Sequence, residues 1–502
     1  MGSAKKVASG VAWSMLSNVV NAVYGFISVP ILINYFGKAE YGLIGLALSI
    51  NVYMQLIDLG FNNTNLRFFS VWLAKQNHEK VKVLFQTSLA FYGTIGLLNA
   101  LVLFFISFFT PQLFNVTVEQ DAILKNLFYI LAVSAFVSWY TSCFDQIISA
   151  TENVGWLKRL SLFPKFIQMI VLFMTVFWGF SIELYFLLTT FATVVTFPAL
   201  ISKIRRETPY VSFIPRLDRL TLKEMLPYAI NIFSFSFFQF SFYNLRPVFL
   251  GIQGTVESVA DYRILNGIVG VISMFSGVFL STLLPSSAKV MATGDKSAFY
   301  RVAYDATKYI TIVLGFCVFG MMTIEKELIT IYVGENYYYL IPWFNIWLLC
   351  TLGSHNMGIS SLVLSGADIR SVSYSTIVAS VLGLVVTWFT IKDFQIGGVV
   401  WGLVAYTIVQ QFFWYLIYWP KYMKINSWRV FSYSFIPYVI IGAVICYFTN
   451  KFMVFNLSTW LMLLIKSFAF AVPYVFLVYL LLNDVDKTYI TSLMVRNNSN
   501  RE

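Results

Sequence analysis

The stretch from Ser234 to Gly251 reads SFSFFQFSFYNLRPVFLG, almost all aromatic and aliphatic, yet it holds Arg246 followed at once by Pro247. A permanent cation this close to hydrocarbon is costly unless it lies at the interface, has a partner or faces water. Two readings of Arg246 are open. It is an arginine near the outer end of its helix whose long stem reaches the interface, or it is the cation of a wet cavity that receives an anionic substrate. Ser234, Ser236, Gln239, Ser241 and Asn244 make this helix polar on more than one face. Lipid offers those groups nothing, whereas a cavity would hydrate them. Pro247 frees a backbone carbonyl and permits a bend.

Two carboxylates stand out in the same way. Asp58 lies in LIDLGFNNTNLRF, ahead of Gly60 and Arg67. It reads either as an inner-interface carboxylate paired with a basic loop residue or as a gating or ion-coupling group. Asp145, in TSCFDQIISA, lies deeper in an apolar run and is by burial the stronger candidate for proton or sodium coupling. Its alternative is a hydrogen bond to a Ser or Gln of a neighbouring helix. Asn18 and Asn21 are three apart and share a helix face, as inter-helix glue or as cavity lining. Lys466, in the last apolar run, either serves a groove or snorkels. Asp261 and Arg263 read as interfacial.

Catalytic signatures are missing. No G-x-x-x-x-G-K-[ST] occurs, and Thr293-Gly294-Asp295-Lys296-Ser297 matches only its end, without the upstream glycine or a preceding strand. There is no zinc spacing, nucleophile elbow or catalytic carboxylate pair. The chain is therefore expected to be no enzyme and to need no cofactor or metal. Cys143, Cys317, Cys350 and Cys446 lie in separate apolar runs and read as buried free thiols, and His78 and His355 make no metal motif with them.

The elements that carry these residues follow from composition. The chain has 502 residues, 58% hydrophobic, 18% aromatic and only 11% charged, with mean hydropathy +0.74. Apolar runs near 20 residues recur throughout, the mark of a polytopic all-α membrane protein. The first run, from Val7 to about Ile33, is too long for a signal-peptide core and reads as a retained span. Spans fall at 8–33, 41–66, 81–110, 122–150, 161–180, 182–204, 223–250, 258–287, 301–330, 339–365, 373–391, 395–419, 432–450 and 455–482, about fourteen. The net charge of +11 reads as basic cytoplasmic loops and not as nucleic-acid binding. With both termini inside, only Lys38, Lys125, Arg246, Arg263, Lys326, Lys392, Lys451 and Lys466 fall outside the inner loops and tails, which fixes the orientation as N-in and C-in.

The connection IRRETPYVSFIPRLDRL, basic and with two prolines, separates an N-terminal lobe (1–204) from a C-terminal lobe (223–419) as a cytoplasmic linker (205–222). Residues 420–502 add a helix pair and a cytoplasmic tail. PILINYFG near the end of the first span and PVFLGIQG near the end of the seventh are each followed by a Glu, a Tyr and a new apolar run. The match suggests two six-helix repeats, a known transporter plan with the substrate path between them.

SGVAWSMLSNVVNAVYGFISVPILINYFGKAEYGLIGLA, LIDLGFNNTNLRF, LRPVFLG and LLPSSAKV, with the size and the 6+6+2 plan, give the chain its likeness to a known family. It resembles the polysaccharide (O-antigen type, Wzx-like) flippases of the multidrug/oligosaccharidyl-lipid/polysaccharide exporter superfamily. The resemblance implies a flippase of the bacterial cytoplasmic (inner) membrane. It would move a polyprenyl-pyrophosphate-linked oligosaccharide by alternating access while the lipid tail stays among the membrane lipids. It also implies coupling to H+ or Na+ and partnership with a polysaccharide polymerase and chain-length regulator. On this reading Arg246, Asn244, Asn18, Asn21 and Arg67 would bind pyrophosphate or glycan, and Asp58 and Asp145 would couple or gate. The Asp58-to-Arg67 segment and Arg246 occupy family-like positions, whereas Asp145 rests on the residues alone. A guanidinium suits a pyrophosphate because it donates two parallel hydrogen bonds. The alternatives are a peptidoglycan-precursor flippase or a drug/cation antiporter of the same superfamily. A membrane glycan polymerase or ligase is disfavoured, because no outer loop exceeds about 15 residues on these span boundaries, too short for such an enzyme's large outer loop.

Overall fold

The computed structural model describes residues 2–366, 369–455, 457–484 and 486–487. The side chains of Lys5, Lys6 and Ser234, and the tail after Lys487, lie outside the described residues. Every regular element among those residues is helical. Among the described residues ten helices are long and apolar enough to cross a membrane, and the chain is a multi-pass membrane protein. Other expected spans are more broken: 41–66 is made of Lys38–Met54, a 3-10 turn at Gln55–Ile57, and Asp58–Ala74. The helices Arg219–Gln253 and Val256–Thr293 are 35 and 38 residues long.

Helix ends are set by local chemistry. Thr117 and Gln120 form a reciprocal capping box at the start of Val118–Ala150. Asp218 caps Arg219–Gln253 by accepting from the Thr221 amide at 2.8 Å and hydroxyl at 2.7 Å. Those bonds hold the Asp218 carboxyl below its ordinary range. Gly37, at φ 89°, makes the turn between the first two helices, a backbone that favours glycine.

The helices divide between two compact units, residues 1–268 with 376–402, and residues 269–375 with 403–502. In the first, His78–Phe108 and Val118–Ala150 pack along their length through Leu84, Phe85 and Leu103 on one side and Leu124, Phe128 and Leu131 on the other, all buried. Asp58–Ala74 lies against Arg219–Gln253. Gly60 sits so close to that helix that a methyl there would overlap the Ala229 carbonyl oxygen. In the second unit, Thr307–Thr323 is packed by Ile436–Phe452 and Thr459–Leu481, and an aromatic cluster gathers Tyr304, Trp414, Tyr418 and Trp419. Outward faces are apolar: Leu98, Phe105 and Phe108 on one helix and Phe468, Val472 and Phe476 on another are all exposed. Such faces suit hydrocarbon, and the polar side chains are correspondingly drawn inward.

Candidate functional site

Three helices of the first unit build a continuous polar chain around Asp58. Tyr92, from His78–Phe108, donates its hydroxyl to Asp58 Oδ1 at 2.6 Å. Ser142, from Val118–Ala150, donates to Oδ2 at 3.3 Å, and Asn62 reaches the same oxygen at 3.5 Å. Behind Tyr92, Gln146 Nε2 donates to its hydroxyl oxygen at 2.7 Å. Asn65 Nδ2 donates to Gln146 Oε1 at 2.8 Å, and Ser88 donates to Asn65 Oδ1 at 3.1 Å. Helical spacing explains the assembly: Asp58, Asn62 and Asn65 recur at four and three residues, as Ser142 and Gln146 do at four, so each set lines one face. Tyr92, Asn65, Ser88 and Gln146 are buried, whereas Asp58 is half-buried at the open end of the chain.

Every donor to Asp58 is neutral. Among the described residues no lysine or arginine pairs with it. Arg67, on the same helix, instead lies over the Tyr228 ring at 4.3 Å and is exposed. A carboxylate held only by neutral donors keeps its hydrogen-bond frame when it gains a proton or a small cation, because no ion pair has to break. An ionisable side chain within the helices of a membrane protein is a functional-site candidate. Asp145, expected to be the more enclosed of the two carboxylates, is exposed, although its neighbour Gln146 points into the chain.

Arg246 is enclosed. It is 2% exposed, and its guanidinium lies 4.9 Å from the Phe242 ring centroid, 5.2 Å from Tyr243 and 5.6 Å from Tyr262. Phe242 and Tyr243 sit one turn earlier on the same helix, while Tyr262 comes from Val256–Thr293. Cation–π attraction to these rings stabilises the charge in place of water. Asn244 is half-buried and donates to its own helix at the Phe240 carbonyl, 2.9 Å away. Asn18 and Asn21 are both exposed.

Asp261 and Arg263 both reach across to the helix Lys38–Met54. Asp261 is 4% exposed and pairs with Lys38 at 2.8 Å. Arg263 Nη2 donates to the Gly45 carbonyl at 2.9 Å. The residue at 45 has no side chain to block that approach, and Gly42 likewise lies tight against the Val256 backbone. The two charges therefore tie the helix Lys38–Met54 to Val256–Thr293 within the first unit.

The structure thus brings Asp58 together with Tyr92, Ser142 and Gln146, and Arg246 with three aromatic rings. Arg67 is placed apart from Asp58, on Tyr228. Sequence reasoning missed Tyr92, Gln146, Asn65 and Ser88. The available signal was the recurrence of amides inside apolar runs, at Asn65 in LIDLGFNNTNLRF and Gln146 in TSCFDQIISA. It also missed a charged cluster in the second unit. There Lys308, 1% exposed, meets Asp486 at 2.6 Å and Asp305 at 3.5 Å, and donates to the Tyr433 hydroxyl at 3.1 Å. Tyr309 donates to Asp486 as well. Partial burial alone would raise the Asp486 carboxyl, but the bonds from Lys308 and Tyr309 outweigh it and hold it below the ordinary range. Lys466 neither snorkels nor stands alone: it is buried and pairs with Glu327 at 2.7 Å.

The helical membrane fold thus carries an enclosed arginine and a carboxylate framed by neutral donors. Solved structures share this fold. A structure described as lipid II flippase MurJ, inward closed conformation, matches with TM-score 0.73 at 11% identity, covering 94% of this chain and 98% of that one. An inward-facing multidrug resistance MATE family transporter of the MOP superfamily matches with TM-score 0.59 at 14% identity, covering 86% and 96%. A structure of the MATE multidrug transporter DinF-BH matches with TM-score 0.57 at 14% identity, covering 82% and 95%. No curated protein matches by sequence. The family model described as polysaccharide biosynthesis protein matches residues 7–291, and the chain belongs to that family.

Proposed function

We propose that this chain is a flippase that carries a polyprenyl-pyrophosphate-linked oligosaccharide repeat unit across the bacterial cytoplasmic membrane for O-antigen or other surface polysaccharide assembly. The observation that carries this reading is Arg246, an arginine enclosed by Phe242, Tyr243 and Tyr262 inside a multi-pass protein of the polysaccharide biosynthesis family. A pyrophosphate is the part of such a substrate that hydrocarbon excludes most strongly. A guanidinium can donate two parallel hydrogen bonds to one phosphate. In this reading Arg246 meets the pyrophosphate when the transporter opens, and the aromatic rings keep the cation in place between cycles. Asn244, Asn18, Asn21 and Arg67 serve the glycan or its path. Asp58 takes up the coupling H+ or Na+, with Tyr92 and Ser142 fixing its geometry, and the exposed Asp145 supplies a second carboxylate.

The same reading places the lobes at 1–204 and 223–419 around the linker 205–222, with 420–502 appended and both termini cytoplasmic. The protein works as a transporter and not as an enzyme, alongside a polysaccharide polymerase and chain-length regulator. The fold shared with a lipid II flippase supports a second reading, transport of the peptidoglycan precursor, which presents the same pyrophosphate chemistry.

The test is genetic. Deleting the gene in its host should abolish surface polymer and leave single lipid-linked units on the inner leaflet, restored by the wild type and not by Arg246→Ala. Full export by both Arg246→Ala and Arg246→Lys would remove Arg246 from the substrate path. Lysis with intact surface polysaccharide would favour the peptidoglycan precursor, and altered drug tolerance alone would favour an antiporter.

A further inference from the structure

The connection between the helices Phe197–Glu207 and Arg219–Gln253 is docked on one side and bare on the other. Its inner side is held by the helix His78–Phe108. Gln86 Nε2 donates to the Ile214 carbonyl at 3.2 Å, and the Arg216 amide donates to the Gln86 carbonyl at 3.2 Å. The Asp218 amide donates to Thr87 Oγ1, also at 3.2 Å. Phe213 lies against the buried Phe85 and Phe144, with ring centroids 5.3 and 6.0 Å away, and the Tyr210 ring lies 4.2 Å from His78. Pro209 and Pro215 bias the residues before them away from helix. Docking therefore fixes a segment that has no helix of its own.

The other side carries Ile214, Leu217 and Leu220, which are 71%, 50% and 72% exposed. A single exposed leucine needs no explanation. Three apolar side chains at three-residue spacing, interleaved with the exposed Arg216, Arg219 and Lys223, have the composition of a segment that lies on a lipid surface. The acids nearby do little to neutralise these cations. Glu207 pairs with Lys203 at 2.7 Å, Asp218 accepts from Thr221 as a cap, and Glu224 is exposed. Among the described residues no carboxylate pairs with Arg216, Arg219 or Lys223.

The helix that follows marks the level of the lipid. Arg219, Lys223, Leu226 and Ile230 recur at four, three and four residues, share one face and are all exposed. That face turns from basic to apolar between Lys223 and Leu226, as a helix does on passing from headgroups to hydrocarbon. Ile214, Leu217 and Leu220 come directly before that change.

We infer that this connection is a membrane-surface strap. Ile214, Leu217 and Leu220 seat at the boundary of headgroups and acyl chains, and Arg216, Arg219 and Lys223 meet the phosphates of anionic phospholipids. Phe213, Gln86 and Thr87 hold the strap on the first unit. On the orientation proposed above the lipid is that of the cytoplasmic leaflet. The inference does not depend on what the protein transports.

The test uses the purified full-length protein in nanodiscs of phosphatidylcholine, alone or with added phosphatidylglycerol. Leu217→Cys carries an environment-sensitive fluorophore, with Cys143, Cys317, Cys350 and Cys446 replaced by alanine. Its emission should shift to the blue in the anionic discs, and a nitroxide lipid labelled at the headgroup should quench it at least about twofold more than in neutral discs. Arg216→Gln, Arg219→Gln and Lys223→Gln combined should remove the difference between the two lipids, as should high salt. Hydrogen exchange of the unmodified chain gives a reading free of the cysteine replacements: the amides of residues 212–217 should exchange more slowly in anionic discs. Emission as in water in both discs would overturn the strap. Quenching and exchange that are the same in both discs would overturn its contact with anionic lipid.

Discussion

Asp58 in the first unit and Asp486 in the second each accept a hydrogen bond from a tyrosine, but only Asp486 also meets a lysine. The contrast separates two uses of a carboxylate in the same fold. Lys308 is almost wholly enclosed and shared between Asp486 and Asp305, while Tyr433 bonds both Lys308 and Asp305 and accepts from Asn483. Each charge there depends on the others, because removing one leaves a buried ion uncompensated. The cluster pins the chain after the last span to the helix Thr307–Thr323. Around Asp58 no charge depends on another. Tyr92, Ser142 and Asn62 bond a carboxylate or its neutral form, so the charge at Asp58 can change without dismantling its surroundings. The Asp486 carboxylate is held by an ion pair, and the Asp58 carboxylate by neutral donors alone.

The comparison can be broken most severely at Lys308. Lys308→Met leaves Asp486 without its cation and should lower stability by about 3 kcal/mol, read as a large drop in the midpoint of thermal unfolding in detergent. A change below about 1 kcal/mol would show that the cluster is no clamp. The next largest effect is expected at Gly60, which lets Asp58–Ala74 approach Ala229. Gly60→Ala forces the two helices apart and should cost about 2 kcal/mol, with loss of transport because Asp58 lies on the displaced segment. Tyr92→Phe removes one donor to Asp58 and the acceptor of Gln146, and should cost about 1 kcal/mol in the same unfolding assay. The smallest effect is one of pH. Asp486 has a depressed folded-state pKa, so its contribution is fully present above the unfolded carboxylate value of about 4 and is lost as pH falls through the folded value. Asp486→Asn should therefore remove part of the acid sensitivity of unfolding, whereas Asp58→Asn, which replaces no ion pair, should change neutral-pH stability by less than about 1 kcal/mol.

Much of this was legible in the sequence, and the remainder has a physical reason. The helical membrane class follows from long apolar runs, and Arg246 and Asp58 stand out because charge is rare inside them. Their partners do not stand out. Tyr92 is one of 30 tyrosines, and helical periodicity tells which face it occupies but not which helix lies opposite. Lys308 and Asp486 are 178 residues apart, one at the start of an apolar run and the other beyond the last, so nothing local links them. The contacts of Asp261 and Arg263 were not legible, because both reach the distant segment Lys38–Met54, where Gly42 and Gly45 lack the side chains that would block the close crossing. Asp145 looked enclosed from its apolar neighbours, but the helix turns it outward while Gln146 takes the inward position.

The most direct measurement is transport of a pyrophosphate-linked lipid oligosaccharide in proteoliposomes, with an imposed proton or sodium gradient, for the wild type, Arg246→Ala and Asp58→Asn. Wild type should expose the glycan on the far leaflet at a rate that rises with the gradient. Arg246→Ala should fail with or without the gradient, and Asp58→Asn, still folded, should lose the gradient dependence. Equal, gradient-driven transport by all three proteins would contradict the account.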